Sequence, residues 1–413
     1  MTPSATLAIN ERSAELCRAG REVFRFGLGQ SPFPVPQPVV EALRANAHQK
    51  DYLAVRGLRE LREAVAAYHR RRLQVDRAGD DVLVGPGSKE LMFLLQLVYY
   101  GDLVIPTPSW VSYAPQADII GRKIRWVATR AENDWRMTPD ELEELCARDP
   151  KRPRILILNY PSNPTGSTYN ADELRAIARI ARRYRVVLLS DEIYGELHFQ
   201  GRHVSIARFY PEGTIVSTGL SKWCGAGGWR LGTFVFPHDL RWLLDAMAAV
   251  ASETYTSTSA PIQYAAVRAF EGGLELEDYL GRSRRVVRAL GRECARRLRA
   301  AGAAVPEPKG GFYLMFDAGP LREALLRRGI RTASAMCEAL LEDEGVAILP
   351  GSSFGMPDST CTARLAFVDF DGGGALAGAA ALPAGAELDA GFLDAHCGKV
   401  LRGIDRLAGW LRR

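Results

Sequence analysis

No CxxC pair occurs in this sequence, and its seven cysteines are scattered and odd in number. That argues against a disulfide framework or a zinc site and fits a reducing, cytoplasmic setting. The six histidines do not cluster with the cysteines, so no metal site is expected. No apolar run reaches the roughly eighteen residues that suggest a membrane span. The opening segment MTPSATLAINERSAELCRAG also lacks the apolar core of a signal peptide. The expectation is a soluble, untargeted protein with no membrane partner. Lysine is scarce, and most of the 53 basic residues are arginine. Much of that arginine lies in amphipathic helical segments such as RSRRVVRALGRECARRLRA, from Arg282 to Ala300. No basic groove motif with interleaved aromatics accompanies it. The net charge of +5 therefore reads as solvated helix faces, with no nucleic-acid partner. There is no internal repeat, and a composition of 47% hydrophobic and 24% charged residues argues against disorder.

A length of 413 residues exceeds what one hydrophobic core supports and predicts two domains. Seven short apolar runs read as strands: DDVLVGPG, GDLVIPTP, KIRWVAT, RILILNYP, RVVLLSDE, TIVSTGLS and GTFVF. They are apolar on both faces, as in a parallel sheet covered by helices. Helical segments such as SKELMFLLQLVYY and ADELRAIARIARRYR alternate with them. The pattern predicts a doubly wound α/β domain over 49–280. A long helical stretch from Leu274 to Ala301 leads to a smaller α+β domain, 281–413, with strands in GGFYLMFD and TARLAFVDF. Residues 1–48 form an arm and part of that small domain. The stretch 372–391, rich in Gly and Ala, reads as a loop or short helix.

Ligands of open α/β sheets sit beyond the carboxyl ends of the strands. The unusual residues of this chain collect there, in GPGSKE, PTPSW, NYPSNPTG, SDEIY and STGLSK. The strand RVVLLS runs into Asp191 and Glu192. A buried carboxylate needs a partner, so a cation is expected beside Asp191. Lys222 follows another strand, and only lysine supplies an amine that can lose its proton and attack a carbonyl. Arg230, eight residues on, could hold a phosphate bidentately. Taken alone, a surface lysine and a structural arginine explain these two as well. Asn163 could donate to a ligand oxygen or simply serve a turn. The GPGSKE turn opens a helix whose backbone N–H groups can bind an anion. Trp110 could stack on an aromatic ligand or pack in the core.

Together, Tyr52 in DYLAVRG, Gly87-Ser88-Lys89, Trp110, NPTG, DEIY and SKWCGAGGWRLG resemble the class I/II aminotransferases. The likeness runs from FGLGQSPFPVP to ARLAF. It implies fold type I, a mostly parallel seven-stranded sheet, with pyridoxal 5'-phosphate (PLP) as cofactor. Asp191 then matches the aspartate that pairs with the pyridine nitrogen, and Lys222 the lysine that forms the Schiff base and moves the Cα proton. Tyr194 and Asn163 match the groups at the phenolic oxygen, and Trp110 the stacking aromatic. Arg230, Ser221 and the Gly87–Ser88–Lys89 turn match the phosphate cup. Tyr52 matches a tyrosine that reaches the phosphate of the neighbouring subunit, which implies a homodimer with shared sites. Arg364 matches the clamp on the substrate α-carboxylate, and Gly29 the glycine beside it. One departure is Gly219, three residues before Lys222, where the family usually carries Ser or Thr; either Thr218 compensates or one phosphate contact is lost.

The reaction implied by this resemblance is transamination between an L-α-amino acid and a 2-oxo acid. Dicarboxylate-specific members use a second arginine from the partner. The comparable segment, 251–266, has neither Arg nor Lys and carries Glu253, Thr254 and Tyr255. A neutral or basic side chain is therefore expected. The same residues also serve elimination, cyclisation or oxidation, as in capreomycidine-synthase-like enzymes. A non-catalytic regulator would be expected to lose Lys222 or Asp191, and the roughly 25 residues before FGLGQ are too few for an appended DNA-binding domain.

Overall fold

The computed structural model describes residues 5–413; the first four residues of the expected arm lie outside the described residues. Its strands are β1 (Phe24–Arg25), β2 (Val82–Gly85), β3 (Asp102–Thr107), β4 (Ile124–Ala128), β5 (Arg154–Asn159), β6 (Val187–Asp191), β7 (Thr214–Gly219), β8 (Gly232–Val235), β9 (Tyr313–Asp317), β10 (Val346–Ala347), β11 (Leu349–Pro350) and β12 (Thr362–Ala366). All seven runs expected for the large sheet join it, in the order β2-β8-β7-β6-β5-β3-β4. β8 is antiparallel to both neighbours, and the remaining pairs are parallel.

The alternation of side chains along each strand feeds two cores. Ile155, Ile157, Val187, Leu189 and Ile215 pack under the helices Ser88–Val98 and Arg241–Ser252. Leu156, Leu158 and Leu188 face the opposite way, against Pro139–Ala147 and Ala171–Arg183. Burial on both faces is why these strands read as continuous apolar runs. The helix Ala171–Arg183 begins at Asn170, whose side chain accepts from Asp172 and Glu173 N–H while Glu173 reaches back to the Asn170 N–H. Arg182 and Arg183 close its last turn, where cations are favoured.

A second, antiparallel sheet has the order β11-β12-β9, and β1 pairs with β10 in parallel. Arg364 sits on the middle strand, opposite Leu349 and Met315. The helix Leu274–Ala300 packs against Gly372–Ala380 and Ala390–Leu411. The Gly/Ala-rich stretch 372–391 thus contributes a nine-residue helix followed by turns. An N-terminal helix, Ala5–Arg18, was not foreseen from the sequence. Among the described residues no helix is long and apolar enough to cross a membrane, and no cluster of His, Cys, Asp and Glu suits a metal ion.

Register brings the functional edge together. Asn159 lies opposite Asp191, and Asp191 opposite Ser217, so three strand ends finish side by side. On β8, Gly232 lies under the start of the helix Ser88–Val98. A Cβ there would stand 2.2 Å from Ser88 N and 2.6 Å from Gly87 C, both backbone atoms. The Gly232→Ala protein should lose about 1–3 kcal/mol of stability through overpacking. A thermal melt indistinguishable from the parent would contradict this tight contact.

Candidate active site

The two acids at the end of β6 meet opposite environments because consecutive side chains point to opposite faces. Glu192 is fully satisfied. Ser190 and Ser205 hydroxyls donate to its Oε1 at 2.7 and 2.6 Å, and His203 Nε2 lies 2.7 Å from Oε2. Burial pushes this carboxyl up, but His203 and the serines outweigh it and leave it below its ordinary value. Asp191 is only 3% exposed; its Oδ2 accepts from Tyr113 Oη at 2.6 Å, and its Oδ1 has no partner. Burial raises its pKa to about 6, with Tyr113, then the Ile193 amide and the Ser217 hydroxyl nearby and, most weakly, Lys222 pulling the other way. The cation expected beside Asp191 is therefore not a side chain of this chain at ion-pair distance, among the described residues.

Asp191 opens into a cavity of about 510 Å³ that also holds four basic side chains, Lys89, Lys222, Arg230 and Arg364. Lys222 follows β7. Its Nζ donates to Gly29 O at 2.9 Å and lies 5.6 Å from the Tyr194 ring centre. Arg230 ends the turn Gly227–Trp229 with φ 54°, and donates to Gly227 O and Pro86 O at 2.9 and 3.3 Å. Gly87, which caps the helix Ser88–Val98, has φ 91° and abuts this guanidinium. A Cβ on Gly87 would stand 2.2 Å from Arg230 Nη2. Only glycine meets both demands. Ser88 and Lys89 then present the first turn of that helix to the cavity. Lys89 Nζ lies 5.3 Å from the Trp110 ring centre; burial, then Arg230 and Lys222, lower its pKa.

Arg364 is 2% exposed and has no acidic partner among the described residues. It donates to Asn163 Oδ1 at 3.3 Å and to Gly27 O, while its Nε is unpaired. The rings of Tyr313 and Phe354 flank it at 4.9 and 5.0 Å. Burial pulls its pKa below the ordinary value. Trp110 meets Tyr113 edge-on, and Ser221 lines the wall. Asn163 N donates to Asn159 Oδ1 at 2.8 Å, and Asn159 Nδ2 to Asp191 O at 2.9 Å, which ties the NYPSNP loop to β6.

Of the residues matched to the cofactor and substrate sites of the family, the cavity brings together all but Gly87 and Tyr52. Gly87 stands just behind Arg230 without lining the wall, and Tyr52 is 91% exposed, outside its own chain's cavity. Thr218 does not compensate for Gly219. It is buried away from the cavity, bonded to Thr233 Oγ1 at 2.8 Å, because it points to the opposite face from its neighbour. Gly219 itself has no room for a side chain: a Cβ would stand 2.8 Å from Leu231 O. Glu253 follows the helix Arg241–Ser252, is exposed, and does not line this cavity. Two functional tyrosines escaped sequence reasoning. Tyr113, three residues after Trp110, opens the helix Tyr113–Ile119, and Tyr313 follows the glycines of GGFY; in sequence both look like core aromatics.

Four cations around one acid create a site for a ligand with several negative charges. Lys222 adds an amine to that site, the group needed for covalent chemistry on a carbonyl compound. Comparison with known proteins gives the class. The family model "Aminotransferase class I and II" matches residues 21–367, and the chain belongs to that family. It is 35% identical to an aspartate aminotransferase of Geobacillus stearothermophilus over 87% of this chain and 91% of that one. It is 31% identical to an asparagine–oxo-acid transaminase of Streptococcus mutans, over 87% and 91%. The fold superposes on an aspartate aminotransferase from Thermus thermophilus with maleate, at a TM-score of 0.83 and 28% identity, over 99% of this chain and 97% of that one.

The raised pKa of Asp191 has a consequence for the ligand-free protein. The unfolded carboxyl ionises near 3.8 and the folded one near 6. Between these values the folded state keeps a proton that the unfolded state has lost, so rising pH favours unfolding. The contribution is about 3 kcal/mol across that window. Asp191→Asn should be more stable than the parent at pH 7 and close to it near pH 4, by urea titration. Parallel pH dependences of the two proteins would contradict the unpaired carboxylate.

Proposed function

We propose that this aminotransferase is PLP-dependent and moves the amino group of an L-α-amino acid to a 2-oxo acid, with Lys222 as the cofactor-bearing lysine. One observation carries the proposal: the buried, unpaired Asp191 Oδ1 opening into a cavity with four basic side chains. A protonated pyridine nitrogen would fill the vacant acceptor of Asp191. Arg230, Ser221 and the amides of the Gly87–Ser88–Lys89 turn would hold a phosphate, Trp110 the ring face, and Tyr194 and Asn163 the phenolic oxygen. When bound, the cofactor supplies an electron sink for charge developing at the substrate Cα.

The protein's own residues do the rest. Arg364 binds the donor's α-carboxylate with its planar fork, for which its unpaired Nε and lack of an acidic partner leave it free. Gly29 lines the same cavity, and the place its Cβ would take is filled by Tyr313. Lys222 Nζ would be the base that takes the Cα proton and holds it for the later protonation step. The exposed Tyr52, 91% accessible, supports a homodimer in which each chain completes its neighbour's phosphate cup. The domain limits that go with this reading are 1–48 with 281–413 for the small domain and 49–280 for the large one.

For the donor's side chain, Lys89 lines the cavity and is the cation left over once phosphate and α-carboxylate are matched, whereas Glu253, outside its own chain's cavity, would act only from a partner chain. The relatives' names also include aspartate and asparagine donors. An acidic donor is therefore the first to test, ahead of the neutral or basic side chain expected from Glu253. Single amino acids, arginine and its hydroxylated relatives included, would be mixed with the protein and PLP without any 2-oxo acid. Release of a 2-oxo acid, strongest with aspartate or glutamate and absent from Lys222→Ala, is the expected result. Products that have lost water or ammonia, or closed a ring, would move the chain to the specialised class. Replacing Arg364 by Lys should lower kcat/KM about 10- to 100-fold through loss of a charged bidentate pair. An unchanged kcat/KM would remove Arg364 from its role.

A further inference from the structure

Tyr313 is a buried tyrosine, 1% exposed, that enters the cavity from the small sheet, on β9. Its hydroxyl lies 2.8 Å from the hydroxyl of Tyr194, which the large sheet supplies just beyond β6. Its other acceptor, Gly29 O, is farther, at 3.4 Å, and already receives Lys222 Nζ at 2.9 Å. Each phenol has one proton to give. The shorter contact assigns the Tyr313 proton to Tyr194 Oη. The Tyr194 proton then has no acceptor among the described residues and is free for a ligand oxygen in the cavity. The same side chain explains Gly29, because a Cβ there would stand 1.9 Å from Tyr313 Oη. The Tyr313 ring also lies against the Arg364 guanidinium. The ionisable groups facing the tyrosine pair are Lys222, Arg364 and Asp191.

We infer that Tyr313 is a positioning residue of this site: its hydroxyl donates to Tyr194 and so aims and strengthens the hydrogen bond that Tyr194 gives to the cofactor's phenolic oxygen. Hydrogen bonds in series polarise one another, so a donor behind Tyr194 makes Tyr194 the better donor in front. The inference rests on the PLP reading of the site and deepens it. It assigns a role to a residue from the opposite lobe, one that also seats the arginine proposed to hold the substrate.

The test uses the PLP-loaded protein and follows the cofactor's visible absorption against pH. Tyr313→Phe keeps the ring against Arg364 and removes only the hydroxyl. Its absorption midpoint should rise by roughly 0.5–1 unit, the worth of one hydrogen bond. KM for the amino donor should change little while kcat falls. The double variant with Tyr194→Phe should show no shift beyond that of Tyr194→Phe alone, because Tyr313 acts through Tyr194. Tyr313→3-fluorotyrosine, which keeps ring and hydroxyl and is a stronger donor, should move the midpoint down; it decides the matter if the Phe variant does not fold. An unmoved midpoint in both single variants, or additive shifts in the double variant, would overturn this inference and leave the PLP reading intact. A parent protein that gains no visible band with PLP would overturn both.

Discussion

The rest of this structure is arranged around one buried carboxylate that is left half-satisfied. An ion placed in a protein interior costs several kcal/mol unless hydrogen bonds and a counter-charge compensate. Asp191 receives one well-formed hydrogen bond, from Tyr113, while its Oδ1 makes none and has only the Ile193 amide and Ser217 hydroxyl near the carboxyl to offset burial. The four basic side chains of the same cavity make the complementary demand. Arg364 is buried without an acid, and Lys89 is pushed down by burial and by its basic neighbours. Each group would be better served by a partner, and the partners must come from outside the chain. Such local cost is what a preorganised binding site carries before its ligand arrives.

Glu192 shows that this is not a general property of the strand end. It is adjacent in sequence, of nearly the same chemistry and equally buried, yet it has two serines and a histidine. The difference follows from strand geometry alone: one carboxylate points into the protein and the other into the cavity. The Glu192 network also binds the loop 203–206 to the sheet, and Asn159 fastens the NYPSNP loop to the same strand. The open carboxylate is thus held between well-satisfied neighbours.

Much of this was legible in the sequence. The seven strands could be read because a sheet covered on both faces needs unbroken apolar runs, and the site because its polar residues interrupt those runs at their carboxyl ends. Asp191, Lys222 and Arg230 stood out as charges beside apolar strands, whereas Arg364 was marked only by the family resemblance. Tyr113 and Tyr313 did not stand out, because an aromatic residue in an apolar stretch carries no mark of the hydroxyl it aims at a neighbour. Of the two alternatives at Gly219, compensation by Thr218 is the one the structure removes, because it would require Thr218 to face the same side, which strand alternation forbids. The sequence showed Arg364 as a strand residue, but not that it is buried without an acid, since that depends on four segments, at Gly27, Asn163, Tyr313 and Phe354, meeting around it. The roles of Tyr52 and Glu253 involve a second chain, and no pattern within one chain fixes what crosses between two.

The central claim is that the Asp191 cavity orients a carbonyl-bearing, multiply anionic cofactor onto one particular amine. Incubation with PLP, reduction with borohydride and mapping of the labelled peptide would test it most directly. The account predicts a single stoichiometric label on Lys222, strongly diminished in Asp191→Ala. A label on Lys89 or spread over surface lysines, or one indifferent to Asp191, would contradict it.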